Sequence, residues 1–185
     1  ESTSGVAFGG VGAGGLYMSV APGQYTLSGR ITATVDKDLP VSSLPVTLEG
    51  GKNYSFYQSG IYNTATKTVE SFIVEDPFIA SFDHATAYVR FVHAISNANP
   101  MTLSLVSRTD SSVVAVGGEV AYKAAGQFTS VPPGAYDLRT RYAGQSTNAV
   151  TRTNVTFSAG RVYTITARGN ITTASTVLLD NTLNR

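Results

Sequence analysis

One nine-residue phrase occurs twice in this chain, and no other feature of the sequence limits the possible fold as strongly. Ser19–Leu27 reads SVAPGQYTL, and Ser130–Leu138 reads SVPPGAYDL. Further matches pair Thr47–Ser55 with Thr156–Thr164 and Ser71–Asp76 with Ser175–Asp180. Because matches in the same order along the chain are the mark of an internal repeat, the sequence predicts two related units. We place the first unit at residues 1–84 and the second at residues 85–185.

Apolar and polar residues alternate after each copy of the phrase, which is the pattern of a β-strand with one buried face. In the first unit the predicted inward positions are Tyr25, Leu27, Ile31, Ala33 and Val35, on one face with Gly29. In the second unit they are Tyr136, Leu138 and Tyr142, while Asp137, Arg139 and Arg141 point outward. Similar alternation around Tyr54, Tyr163 and Leu103 predicts an all-β chain of two tandem antiparallel β-sandwich domains.

The repeated phrase itself suits a structural turn better than an active site. Pro22-Gly23 and Pro133-Gly134 fit the two central positions of a type II turn, in which proline presets φ and glycine accepts a positive φ. Tyr25 and Tyr136 then begin the next inward-facing row. We therefore predict that these six residues are structural turn residues.

The composition supports a folded chain and removes several kinds of chemistry. Of the 185 residues, 42% are hydrophobic and 14% charged, so a packed core is expected. Without cysteine there is no disulfide, thiolate nucleophile or cysteine-bound metal. The sequence shows no apolar run of membrane-spanning length and no leader at Glu1, so we expect no membrane span and a signal peptide that was removed or never present. The low charge and many Thr, Ser, Asn and Gly residues are typical of exported surface proteins.

Apparent active-site signals fail on their context. Gly10–Gly15 satisfies the G-x-G-x-x-G pattern, but the strand-like residues after it replace the helix that a phosphate site requires, so we expect a loop or a bulged strand. His93 has only His84 for company, which favours a hydrogen-bonded histidine at a strand end over a zinc ligand. Asp36 and Asp38 fit a solvated loop better than a calcium site. We predict no catalytic, cofactor-binding or metal-binding residue and no enzymatic activity.

Unit-two motifs resemble a known family. They are Tyr88–Ala94 (YVRFVHA), Pro100, the phrase SVPPGAY, Ser158–Thr164 (SAGRVYT) and Val177–Asp180 (VLLD). Together they resemble the bacterial family DUF4397, a domain of unknown function. The resemblance covers nearly all of unit two and the later two-thirds of unit one. It implies immunoglobulin-like sandwiches, commonly in tandem, on exported bacterial proteins, and it implies no chemistry.

Unit one departs from the family pattern at its N-terminal side. Unit two has 40 residues, 86–125, before the Gly126 that aligns with Gly15, whereas unit one has 14. The deficit corresponds to the strands around Tyr88–His93 and Met101–Val106, and a sandwich without them has open edges. Three explanations stay open: the chain is a fragment, another subunit donates the strands, or the first domain is atypical.

The two halves carry opposite charge. Residues 1–85 hold four basic and eight acidic residues, net −4, and residues 86–185 hold nine and four, net +5. Several arginines of unit two, Arg90 among them, are expected on an exposed sheet face. We single out Arg139, Arg141 and Tyr142 as a possible interaction face for an acidic polysaccharide or the acidic unit of another copy. A net charge of +1 without a basic run argues against nucleic acid.

Three functions follow from these observations. The leading one is a non-enzymatic, exported β-sandwich module of the bacterial cell surface or extracellular matrix, with a structural or adhesive role. A second is a subunit of an extracellular filament that assembles head to tail with strand complementation. A third is a carbohydrate-binding module, which the absence of tryptophan disfavours.

Overall fold

The computed structural model describes residues 5–77, 79 and 81–184, and the chain divides into two compact units, Glu1–Ile79 and Ala80–Arg185. The predicted boundary after residue 84 lies five residues further along. Unit 1 contains a 3-10 turn at Gly12–Gly15 and four strands. These are β1 (Gly23–Arg30), β2 (Pro40–Leu48), β3 (Asn53–Asn63) and β4 (Thr68–Asp76).

Unit 2 contains eight strands. They are β5 (Ala87–Ala94), β6 (Met101–Ser107), β7 (Val113–Val120), β8 (Thr129–Val131), β9 (Gly134–Tyr142), β10 (Val150–Phe157), β11 (Val162–Asn170) and β12 (Thr173–Leu183). The described residues contain no α-helix, so the all-β prediction is confirmed.

Unit 2 is a sandwich of two four-stranded sheets. One sheet has the order β10-β9-β6-β7 and the other β12-β11-β5-β8. The pairs are antiparallel except β5 with β11, which run parallel and place Val162 beside Tyr88. That pair differs from the antiparallel expectation. Met101, Leu103, Leu138 and Ile165 are at most 1% exposed, so alternate residues of the facing strands fill one core, as predicted.

Strand β5 is buried on both faces along its full length, from Ala87 to Ala94. Its inner face packs in the core between the two sheets, and on its outer face the ring of Phe82 lies against Tyr88 and the ring of Phe128 against Arg90. A strand so placed normally consists of apolar residues, but this one includes Arg90 and His93, both 0% exposed. The expectation that Arg90 decorates an exposed face is therefore wrong.

Unit 1 consists of two separate hairpins, β1-β2 and β3-β4. The Gln58 amide nitrogen donates to the Ser42 hydroxyl at 2.8 Å and thereby joins β3 to β2. Among the described residues of this unit, only Phe72 and Val74 are buried hydrophobic residues, whereas unit 2 has a continuous core. Unit 1 thus has two strands in each of its two sheets, where unit 2 has four.

Two stretches of unit 1 that were predicted as strands are not strands in the structure. Strand β1 ends at Arg30, and the chain then turns through Asp36 and Asp38, whose φ angles are +56° and +64°. Val35, predicted to point inward, is 76% exposed. Leu16–Val20, predicted as strand-like, forms none. In both places the apolar pattern lacks a neighbouring strand to pair with, and pairing rather than pattern makes a strand.

Candidate functional site

The repeated proline-glycine phrase forms no type II turn in either unit, and in unit 2 it forms a corner between the two sheets. Gly23 and Gly134 have φ angles of +155° and +159°, far from the value of about +80° that the glycine of a type II turn adopts. In unit 2, Pro132 and Pro133 carry the chain from β8 in one sheet to β9 in the other. The predicted turn type is therefore wrong, although the residues do redirect the chain.

In each unit, a tyrosine hydroxyl forms a hydrogen bond that stabilises the proline-glycine phrase. Tyr25 donates to the carbonyl oxygen of Ala21 at 2.7 Å, and Tyr136 donates to that of Pro132 at 2.8 Å. A second matched pair follows: the hydroxyl of Tyr54 accepts from the Glu49 amide at 3.4 Å, and that of Tyr163 accepts from the Ser158 amide at 3.1 Å. The sequence repeat is therefore also a repeat of hydrogen bonds, which explains why the same letters occur twice.

The predicted interaction face separates into two parts. Arg139 and Arg141 lie two residues apart on the outer face of β9, opposite Ser104 and Thr102 of β6. The Arg141 guanidinium donates to the Asn148 side-chain oxygen at 3.1 Å. Tyr142 lies on the inner face instead, where it packs against the core, and burial raises the pKa of its hydroxyl. The structure therefore brings the two arginines together without the tyrosine.

An ion pair that sequence reasoning missed shares this outer face. Arg108, just after β6, donates to the Asp137 carboxylate at 2.8 Å, and the Asn154 amide donates to the same oxygen at 3.1 Å. The hydrogen bond from Arg108, and then that from Asn154, lower the pKa of Asp137. We define the guanidinium face as Arg108, Asp137, Arg139 and Arg141. The outward position of Asp137 was predicted, but Arg108 joins it only through the pairing of β6 with β9.

Other arginines of unit 2 serve the fold. Arg90 donates from Nε to the Thr164 hydroxyl at 3.0 Å, and its guanidinium carbon lies 5.0 Å from the Phe128 ring centre. Thr164 in turn donates to the Asn184 side-chain oxygen at 2.7 Å. Arg168 pairs with Asp180. Because buried charge requires such partners, these contacts indicate a structural polar network around β5 and β11.

His93 is fixed in one tautomer. Its Nε2 lies 3.0 Å from the carbonyl oxygen of Asn99, and its Nδ1 lies 3.2 Å from the amide nitrogen of Ile95. Since the carbonyl accepts and the amide donates, the ring is neutral with its proton on Nε2. Burial lowers the pKa of His93, against a smaller raising effect of the Asn99 carbonyl. The prediction of a hydrogen-bonded histidine near a strand end is confirmed.

The remaining predicted loops carry ordinary contacts. Gly12–Gly15 is a 3-10 turn, and residues 16–22 after it form neither a strand nor a helix, which agrees with the loop among the two expected alternatives. The Asp36 carboxylate accepts from the Lys67 ammonium at 2.8 Å. Within residues 5–77, 79 and 81–184, no group of three His, Asp or Glu side chains converges to hold a metal ion. The same residues include no helix of the length and apolarity needed to cross a membrane.

This chain is similar to a known protein family and to a solved structure. Residues 87–185 match the family described as "Domain of unknown function (DUF4397)". No curated protein has a matching sequence. Among solved structures, the C-terminal domain of AlgF from P. aeruginosa is similar, with 17% sequence identity and a TM-score of 0.37. That similarity covers 54% of this chain and 98% of the AlgF domain.

Proposed function

Given that this chain belongs to the DUF4397 family, we propose that it is a non-enzymatic structural or adhesion module of an exported bacterial protein. The observation that carries the proposal is the guanidinium face of unit 2. A central strand of a four-stranded sheet, β9, holds most of this face, while the buried titratable groups Arg90 and His93 are engaged in structural hydrogen bonds. Export is supported by the low charge of the sequence.

The guanidinium face suits an extended acidic ligand. Arg139 and Arg141 point the same way along β9, and Ser104 and Thr102 of β6 stand beside them, as does Thr151 of β10. Guanidinium groups bind carboxylates and sulfates through paired hydrogen bonds, and hydroxyl groups add neutral ones. Such a row follows a polymer rather than enclosing a small molecule. We therefore propose an acidic surface polysaccharide as the ligand class.

The test uses dextran sulfate and unmodified dextran, which share a backbone and differ in charge. We expect the intact chain to be retained on dextran sulfate, with retention falling as salt rises. Arg139→Ala with Arg141→Ala should weaken retention about tenfold or more, since each charged contact is worth roughly 1 kcal/mol. Arg161→Ala, at an exposed arginine elsewhere in unit 2, is the control for the loss of one positive charge and is compared with Arg139→Ala and with Arg141→Ala taken singly. Equal losses in the control and the single variants, or no retention of the intact chain, contradict the proposal.

A second candidate function is a filament subunit. Opposite net charges of the two halves, −4 and +5, favour a head-to-tail contact between the acidic unit of one copy and the basic unit of the next. Light scattering and electron microscopy of one sample at low and high salt test this directly. We expect rods that shorten with salt, and a monomer of 19.4 kDa at both salt concentrations refutes assembly.

Localisation is tested separately from binding. Fractionation of native cells followed by immunoblotting should find the protein in the medium or on the cell surface. A signal confined to the cytosolic fraction would contradict export and leave the binding measurement untouched.

A further inference from the structure

Unit 2 shows which strands occupy the positions that are open in unit 1. Strand β9 has β6 on one side and β10 on the other, and β11 lies between β5 and β12. The equivalents of β9 and β11 in unit 1 are β1 and β3, since their corner tyrosines and hydrogen bonds match. Within the described residues, β1 pairs with β2 and with no other strand, and β3 pairs with β4 and with no other strand. Each therefore has one open edge where unit 2 has a further strand.

Side chains on the inner face of unit 1 are more exposed than their equivalents in unit 2, as expected where a neighbouring strand is missing. Tyr136 is 4% exposed, whereas its equivalent Tyr25 is 36% exposed. Ile165 is fully buried, whereas its equivalent Phe56 is 36% exposed. The other exposed large hydrophobic residues of unit 1 lie elsewhere: seven precede β1 (Val6–Val20), Val35 lies between β1 and β2, and Ile61 and Tyr62 lie near the end of β3. Tyr25 and Phe56 therefore mark the part of the inner face that lacks a packing partner of the kind that unit 2 has.

We propose that unit 1 is an acceptor for a segment of two strands with the chemistry of β5 and β6. The first strand runs parallel to β3, as β5 does to β11, and the second runs antiparallel to β1, as β6 does to β9. Main-chain hydrogen bonds to the open edges hold the segment, and its alternating apolar side chains cover Tyr25, Leu27 and Phe56. This site is distinct from the guanidinium face, and the inference does not depend on the adhesive role.

The parallel pairing of β5 with β11 indicates that a strand segment, and not a second copy of unit 1, fits the open edges. A twofold axis that joined β1 to its own copy would also join β3 to its own copy, and both contacts would be antiparallel. The template in unit 2 requires a parallel neighbour for β3. In β5, moreover, both faces are buried, whereas β3 has exposed residues such as Phe56 and Gln58. A separate apolar strand fits the edge of β3 better than another β3.

The probe is a synthetic peptide with residues 86–107 of this chain, added to the full chain and followed by hydrogen exchange with mass spectrometry. We expect amides of β1 and β3 to exchange about tenfold more slowly with the peptide, because edge amides gain hydrogen bonds. Amides of β9 and β11, whose edges are already paired, should not change. The same segment joined to the N-terminus through a flexible glycine-serine linker should give the same protection without depending on peptide solubility.

Matched peptides separate strand addition from unspecific sticking. Leu103→Lys with Leu105→Lys places charge on the inward face, since both residues are buried in unit 2, and should abolish protection. Thr102→Lys with Ser104→Lys places the same charge outward and should retain it. The inference is overturned if the joined segment leaves β1 and β3 unprotected, if those amides are fully protected in the isolated monomer, or if the chain dimerises through unit 1.

Discussion

Truncation of one leucine in each repeat provides the most direct test of the difference between the two units. Leu27 and Leu138 occupy equivalent positions, two residues after the corner tyrosines, but Leu138 is fully buried and Leu27 only half-buried. The substitutions Leu27→Ala and Leu138→Ala are chemically identical. Any difference in their effect therefore measures the surroundings rather than the side chain.

The expected magnitudes differ by about 2 kcal/mol. Leu138→Ala leaves a cavity beside Leu105, its partner across β6, and should destabilise unit 2 by about 3 kcal/mol. Leu27→Ala removes a side chain that solvent already reaches, so only part of the transfer free energy is lost and no closed cavity forms. The loss in unit 1 should be about 1 kcal/mol. The unfolding equilibria of the two units should therefore shift by factors that differ about 30-fold.

Hydrogen exchange resolved along the chain is the appropriate assay, because a chain of two units does not unfold in a single two-state transition. Under conditions in which exchange reports the opening equilibrium, amides of β9 should lose about 3 kcal/mol of protection in Leu138→Ala. Those of β1 should lose about 1 kcal/mol in Leu27→Ala. Equal losses in the two variants would refute the reasoning, because they would show that the inner face of unit 1 is as well covered as that of unit 2.

Three further predictions concern single contacts in unit 2. The pKa of His93 is lowered in the folded chain, so as the pH falls the unfolded chain takes up a proton on this histidine before the folded chain does. The free energy of unfolding should therefore decrease below about pH 6.5, by at most about 1.4 kcal/mol per pH unit. His93→Gln should abolish this pH dependence in urea titrations. Tyr136→Phe should cost about 1 kcal/mol by denaturant titration through the lost bond to Pro132, and an unchanged midpoint would contradict it. Gly169→Ala should destabilise more than Gly144→Ala in thermal unfolding, because its added Cβ would lie 2.3 Å from the Thr176 carbonyl oxygen whereas the space at Gly144 is open.

Local pattern predicted the strands of unit 2 well and their pairing poorly. The inward positions of Tyr136 and Leu138 follow from alternation with period two, which a strand with one buried face imposes. The parallel contact between β5 and β11 joins residues about 74 positions apart, for example Arg90 and Thr164, and no local pattern encodes it. The burial of Arg90 follows from that contact, and it was missed for the same reason.

The guanidinium face shows the same limit. Arg139 and Arg141 were predicted to share the outer side because they stand two apart in one strand. Tyr142 was grouped with them by proximity in sequence, although the same alternation places it on the inner side. Arg108 reaches the face from the turn after β6, so only the pairing of β6 with β9 brings it beside Asp137. In the proline-glycine phrase, the sequence predicts which residues redirect the chain, but the φ angles of Gly23 and Gly134 depend on the sheet that the next strand joins.

The parallel pairing of β5 with β11 also sets the order of events during synthesis. The first strand of unit 2 leaves the ribosome long before its partner, and until residues Val162–Arg168 follow, one edge of β5 has no partner. Contacts between residues so distant in sequence close slowly because loop entropy must be overcome first. The nascent segment Ala87–Ala94 is rich in aromatic and branched apolar residues, and an unpaired strand of that composition is prone to aggregate. Unit 2 can therefore complete its sheets only after its last two strands are synthesised, and a chain that ends before β11 leaves one edge of its most completely buried strand without a partner.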